Sequence, residues 1–172
     1  MATDRSHRYH EPARDIPIHG EYDVVVCGAG PAGVAAAIRA ARDGAKTLLI
    51  EAGGCLGGMW TLGMQTHATC FNDGKRVIVG GIAHEIIDRL VPLGGADSPE
   101  ENMQRPRPSF YVAFDPDLMK CVLDDMVTQA GAAVLMHTLC VGAMVEGNRV
   151  RSHYREQVRS TGRPGRSDDR LH

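Results

Sequence analysis

Three glycines in the order G-x-G-x-x-G, Gly28, Gly30 and Gly33, and one carboxylate 23 positions after the first, Glu51, are the residues best suited to chemistry in this chain. Each glycine has a mechanical task. Gly28 permits a tight strand-to-helix turn, Gly30 lets a pyrophosphate approach the main chain, and Gly33 lets a helix lie close on a strand. The helix that follows begins with unpaired N–H groups and a positive dipole end, which together favour a bound phosphate. Glu51 stands close to the ~20-residue offset of a ribose-binding acid. Its carboxylate accepts from both ribose hydroxyls and repels a 2′-phosphate, so an NADP-type ligand is disfavoured. The chemistry implied is recognition of the diphosphate-ribose part of a dinucleotide.

The elements around these residues agree with that task. Val24 to Cys27 is a continuous apolar, β-branched run, the pattern of a strand buried on both faces. Val34 to Arg42 is an alanine-rich helix stopped at Asp43-Gly44, and Ala37 falls on the face of Gly33. "KTLLI" (46–50) is the next strand, with Glu51 at its carboxyl end. Further on, "FNDGKRVIV" (71–79) reads as a hairpin turning at Asp73-Gly74, and "IAHEIIDRL" as a helix. Residues 91–113 hold four prolines and read as a loop, in which Arg105 and Arg107 are candidates to meet an acidic substrate. Asp115-Pro116 opens another helix, with Leu118, Val122 and Met126 as its apolar stripe, and Gly131 ends it. "AVLMHT" is a third core strand, and "CVGAMVE", "GN", "RVR" begin a hairpin. This order makes an α/β fold, a Rossmann-like FAD/NAD(P)-binding parallel sheet with flanking helices and right-handed crossovers, the economical reading.

The glycines and the acid extend into a longer pattern. After G-x-G-x-x-G come three residues, Ala37, six residues, Gly44, and a strand ending in Glu51; then follows a second glycine-rich loop, "AGGCLGGMWTLG". On these residues the chain resembles FAD-dependent oxidoreductases of the two-dinucleotide-binding-domain type, in particular those with L-G-G-x-x-T-x-G after the acid, distantly akin to the fumarate reductase flavoprotein. The resemblance covers about residues 21–150. It implies FAD as cofactor, lined by Gly28, Gly30, Pro31, Ala32, Gly33, Glu51, Gly57, Gly58 and Thr61, with the backbone near Cys140 approaching the adenine. Disulfide reductases share the pattern up to the second loop but then carry C-x-x-x-x-C. Here Cys55 is followed five positions later by Trp60, so no dithiol forms there. An NAD-dependent dehydrogenase and a non-catalytic nucleotide-binding module are the alternative functions; the second glycine loop argues against the first.

Composition narrows the partners. The 172 residues carry a formal net charge of −2 and 43% apolar residues, enough for one core and too acidic for a general role on nucleic acid or an anionic membrane. No run approaches the roughly 20 apolar residues of a membrane span, and the polar N-terminus (1–20) reads as a flexible arm rather than a secretory signal. The five cysteines form no C-x-x-C pair; they read as buried reduced thiols of a cytoplasmic protein. No metal is expected, since His7, His10 and His19 sit in the polar arm. His67 and His84 are the histidines nearest the glycine loops and the first helix after them, but no catalytic acid or base is identifiable; a small-molecule substrate is expected and its identity and the oligomeric state are open. Residues 151–172 hold six arginines and only two aliphatic residues, Val158 and Leu171, and read as a basic disordered tail. Read one base later, codons for 152–172 permit continuations such as Val-Ile-Thr-Glu-Asn-Lys-Ser-Gly that suit the flavoprotein pattern. A frameshifted end of a longer enzyme is therefore one expectation, with weak FAD binding and little turnover from this chain alone, and sequencing of the gene decides it.

Overall fold

The computed structural model describes residues 18–104, 110–147 and 149–156. At its centre is a three-stranded sheet of β1 (Val24–Cys27), β2 (Thr47–Ile50) and β5 (Ala133–Leu135), in the order β1-β2-β5. Both pairings are parallel, with Val24 opposite Thr47, Cys27 opposite Ile50, and Leu49 opposite Val134. The β-branched and leucine-rich runs give these strands their propensity, and parallel pairing follows from the helices that connect them. The Rossmann-like expectation is met by this core.

Helix α1 (Pro31–Arg42) connects β1 to β2. Pro31 occupies its first turn, where no N–H is needed, and Gly30 is its N-cap. Val34, Ala37 and Ile38 are buried against the core. Helix α4 (Pro116–Ala130) leads into β5, capped as its sequence anticipates. Asp115 accepts hydrogen bonds from the Asp117 and Leu118 amides at 2.7 and 3.1 Å, and Gly131 closes the helix in a left-handed conformation. Its buried stripe is Met119, Val122, Leu123, Met126 and Val127, so Leu118 lies at the margin and Cys121 faces outward. Helix α2 (Ile82–Leu90), expected from "IAHEIIDRL", buries Ile86, Ile87 and Leu90. Arg42 of α1 grips Glu85 of α2 with two hydrogen bonds of 2.6 and 2.8 Å, and Arg89 adds a third at 3.0 Å.

Four expectations are corrected. Val24–Cys27 is not buried on both faces: Val25 and Cys27 are exposed, because α1 covers only one face of β1 and the other is open. Residues 91–113 are not simply a loop. A 3-10 turn (Val91–Leu93), helix α3 (Pro99–Gln104) and strand β4 (Val112–Ala113) occupy it, β4 pairing with β3 (His67–Ala68), while Arg105 and Arg107 lie outside the described residues. The hairpin at 71–79 reduces to a single bridge between Asn72 and Val77 around the Asp73-Gly74 turn. Residues 151–156, expected to open a disordered tail, are strand: β6 (Thr138–Glu146) and β7 (Arg149–Glu156) form an antiparallel hairpin, and residues 1–17 and 157–172 lie outside the described residues. Pairing with β6 suffices to hold 151–156 extended, a cross-strand effect that composition does not carry.

The cysteines are also placed differently from expectation. All five are free; Cys27, Cys70 and Cys121 are exposed, Cys55 and Cys140 half-buried, and none is a core residue. Among the described residues no helix is long and apolar enough to cross a membrane.

Candidate nucleotide site

The site is built at the carboxyl ends of the parallel strands, where ligands bind in open α/β sheets. It starts from Gly28, whose φ of +98° turns the chain out of β1 and whose amide donates to the Ile50 carbonyl at 2.7 Å. Gly33 then passes so close to that turn that a Cβ on it would sit 1.9 Å from the Gly28 carbonyl oxygen. Only hydrogen fits. At Gly30 the situation is reversed: a Cβ there would meet nothing within 4 Å, so the surface above the α1 N-terminus is open. The first-turn amides of Ala32 and Gly33 have no intrahelical acceptor and lie at that same end. A diphosphate is the group that such an open, amide-lined, positively polarised helix end suits.

Glu51 joins the parts. Its Oε2 accepts from the Ala29 amide at 2.7 Å, and its Oε1 from the Gly53 amide at 2.6 Å. Its main chain is clasped as well, by its own amide donating to the Leu135 carbonyl and by the Thr138 amide donating to its carbonyl, each at 2.8 Å. One side chain therefore ties the first glycine loop to the second, and one backbone unit ties β2 to β5 and β6. Two oxygens have about four acceptor positions, so two amides leave room for ribose hydroxyls.

The second glycine loop packs onto the first. The Gly57 amide donates to the Ala29 carbonyl at 2.8 Å, and a Cβ on Gly58 would lie 2.9 Å from the Gly30 Cα. Thr61 is fully buried and donates to the Leu56 carbonyl at 2.6 Å. Its side chain holds the loop in shape and has no free surface for a cofactor. Gly57 is likewise buried, whereas Gly28, Gly30, Pro31, Ala32 and Gly58 reach the surface around the helix end.

Beside Glu51 a cavity of about 220 Å³ opens, lined by Cys27 and Gly28 from the β1 end, Ile50, Glu51 and Ala52 from the end of β2, and Thr138, Leu139 and Cys140 of β6. Cys140, expected near an adenine, is thus on the same wall as Glu51. Cys27, Ile50, Ala52, Thr138 and Leu139 were not among the expected site residues. A signal was available for Cys27 and Ile50, the last strand residues before Gly28 and Glu51. Partial burial, and then hydrogen bonding to and contact with the Cys140 thiol, push the Cys27 thiol up to about 11. It is a protonated thiol near neutral pH.

His67 and His84 lie apart from this cavity. His67 is exposed and stands edge-on to the Tyr111 ring, at 5.4 Å between centroids. The His84 Nδ1 is 3.0 Å from the Val79 carbonyl, with Asp88 and Glu100 carboxylates near its Nε2. Cys55 points to the Thr61 hydroxyl at 3.7 Å.

Comparison with known proteins agrees with this geometry. A family model described as FAD dependent oxidoreductase matches residues 23–163. A thiamine thiazole synthase from Aeropyrum pernix is 33% identical over 133 residues, which cover 77% of this chain and 43% of that protein. A dihydrolipoyl dehydrogenase from Trypanosoma brucei brucei is 48% identical over 91 residues, 48% of this chain and 17% of that protein. The chain therefore spans less than half the length of these two relatives. Among solved structures, that of AlpK superposes with a TM-score of 0.52 at 17% identity, covering 80% of this chain and 28% of AlpK, a likeness of fold.

Proposed function

Because this chain belongs to the FAD-dependent oxidoreductase family, we propose that it is the part of such an enzyme that holds the adenosine diphosphate end of FAD. In this reading the diphosphate lies over Gly28 and Gly30 at the start of α1. The ribose hydroxyls donate to Glu51, and the adenine enters the cavity between the β1 end and β6. At about 220 Å³ the cavity is smaller than the roughly 300–1,000 Å³ of pockets that enclose a whole drug-sized ligand. It suits one portion of an extended dinucleotide, the remainder crossing the open helix end.

The observation that carries the proposal is the contrast between two neighbouring glycines. Gly33 is packed against backbone, while Gly30 faces free space directly above amides that lack acceptors. FAD, when bound, supplies the electron-accepting ring system. The chain's own residues bind and orient: α1 amides neutralise the diphosphate, Glu51 fixes the ribose and the separation of the two loops, and Thr61 keeps the second loop folded against the first. The substrate is a small molecule of unassigned class, and free thiols suit action in the reducing cytoplasm.

Purification tests the reading. A yellow protein with flavin absorbance near ~450 nm supports it. A colourless chain that binds ADP-ribose but no FAD indicates a nucleotide-binding module, and a chain that binds neither overturns the assignment of the site.

A further inference from the structure

We propose that Cys27 and Cys140 form a reversible disulfide across the wall of the nucleotide cavity, so that a hydroperoxide closes the site and a thiol reductant reopens it. The inference deepens the proposed function and rests on the cavity being the place where the adenosine end of FAD enters.

The geometry is that of a pair built by the fold rather than by local sequence. Cys27 is the last residue of β1, and Cys140 lies near the start of β6. Both line the same cavity beside Glu51, and the Cys140 thiol is near enough to help raise that of Cys27. Neither sulfur is committed elsewhere by a strong bond: that of Cys140 has a weak contact to the Gly142 carbonyl at 3.8 Å. The β6–β7 register shifts between Cys140 and Gly142, so the strand is irregular at the point that has to move. A disulfide draws two sulfurs from van der Waals contact to about 2.05 Å. That displacement brings the β1 end towards β6 at the mouth beside Glu51.

The chemistry balances with a hydroperoxide as oxidant. The Cys140 sulfur gives up its proton, attacks the O–O bond and becomes a sulfenic acid, releasing water or an alcohol. The Cys27 sulfur attacks that sulfenyl sulfur, gives up its proton and expels water. Two thiols and one hydroperoxide become one disulfide, one water and one further water or alcohol. The Cys27 thiol, held protonated, is the poorer partner for the hydroperoxide and loses its proton only as it meets the sulfenyl sulfur beside it.

The test treats the full chain with hydrogen peroxide, alkylates the remaining thiols, and identifies cross-linked peptides by mass. FAD affinity is measured before oxidation, after it, and after dithiothreitol. We expect a peptide joining Cys27 to Cys140, FAD affinity lowered by at least about tenfold, and recovery on reduction. In Cys27→Ser and in Cys140→Ser the affinity before and after peroxide should be the same. Failure of the 27–140 peptide to appear, or a cross-linked protein with undiminished affinity, overturns the proposal. A reduced chain that binds no FAD overturns the proposed function and the gating with it, and the peptide mass then judges the disulfide by itself.

Discussion

An alanine at position 33 would place a methyl carbon 1.9 Å from the Gly28 carbonyl oxygen and 3.0 Å from its carbon, with Val26 Cγ1 at 3.5 Å. Carbon and oxygen in contact sit at roughly 3.3 Å, so α1 has to withdraw from β1 by about 1.4 Å. The struck atoms are backbone and cannot rotate aside. The helix carries fully buried Val34, Ala37 and Ile38, whose packing is disturbed by the same withdrawal. Overpacking in a core costs about 1–3 kcal/mol, and Gly33→Ala should fall at the upper end of that range. Gly30→Ala is the control. With φ of −65° and ψ of 179° the backbone suits any residue, and the new methyl group meets nothing. Stability should change by no more than about 0.5 kcal/mol, while the methyl group occupies the space assigned to the diphosphate and weakens FAD by at least about tenfold. Urea unfolding and FAD titration of both variants make the comparison. A Gly33→Ala protein as stable as the parent refutes the close helix–strand contact, and a Gly30→Ala protein with unchanged FAD affinity refutes the placement of the diphosphate.

Glu51→Gln leaves one acceptor oxygen and turns an NH2 towards a backbone amide that needs an acceptor; FAD affinity should fall by about 1.5–3 kcal/mol in titration, with some loss of stability because both glycine loops are tied through this side chain. Asp115→Ala removes the cap that accepts from Asp117 and Leu118, and should cost about 0.5–2 kcal/mol in chemical denaturation without changing FAD affinity. The Glu85 carboxyl is held below its usual value of 4.5, mainly by hydrogen bonding to Arg42. A depressed acid contributes stability that is present above its unfolded-state value and is lost as pH falls through the lower folded-state value. Glu85→Gln should therefore cost up to about 1 kcal/mol at pH 7, an amount limited by its partial exposure, and the parent and variant stabilities should converge below pH 4.5.

What the sequence disclosed well depends on neighbours close in the chain. Pro31, Asp115 and Gly131 act within one helical turn of themselves, and α1 and α4 lie where these residues place them. The glycine spacing was legible for the same reason: Gly28 and Gly33 meet each other, five positions apart. Helix α3 is the local case that was missed. Ser98 caps it, with its Oγ accepting from the Glu101 amide at 3.3 Å and Pro99 following, but the four prolines of 91–113 masked this start signal.

The remaining misreadings are non-local. A β-branched run specifies a strand but not what stands beside it, and Val24–Cys27 is open on one face because α1 covers only the other. Thr61 is buried and donates to the Leu56 carbonyl inside the loop, a contact invisible in a motif. The cavity was missed for the deeper version of this reason. Its wall joins residues 27–28, 50–52 and 138–140, three segments brought together because the Glu51 amide bonds the Leu135 carbonyl at the end of β5 and the Glu51 carbonyl the Thr138 amide at the start of β6. Glu51 is therefore more than the ribose-binding acid its spacing suggests. The side chain that would recognise the ligand also ties the two glycine loops together through the Ala29 and Gly53 amides, so the site's specificity and its geometry cannot be mutated separately at that position, and Gly30 is the place to separate them.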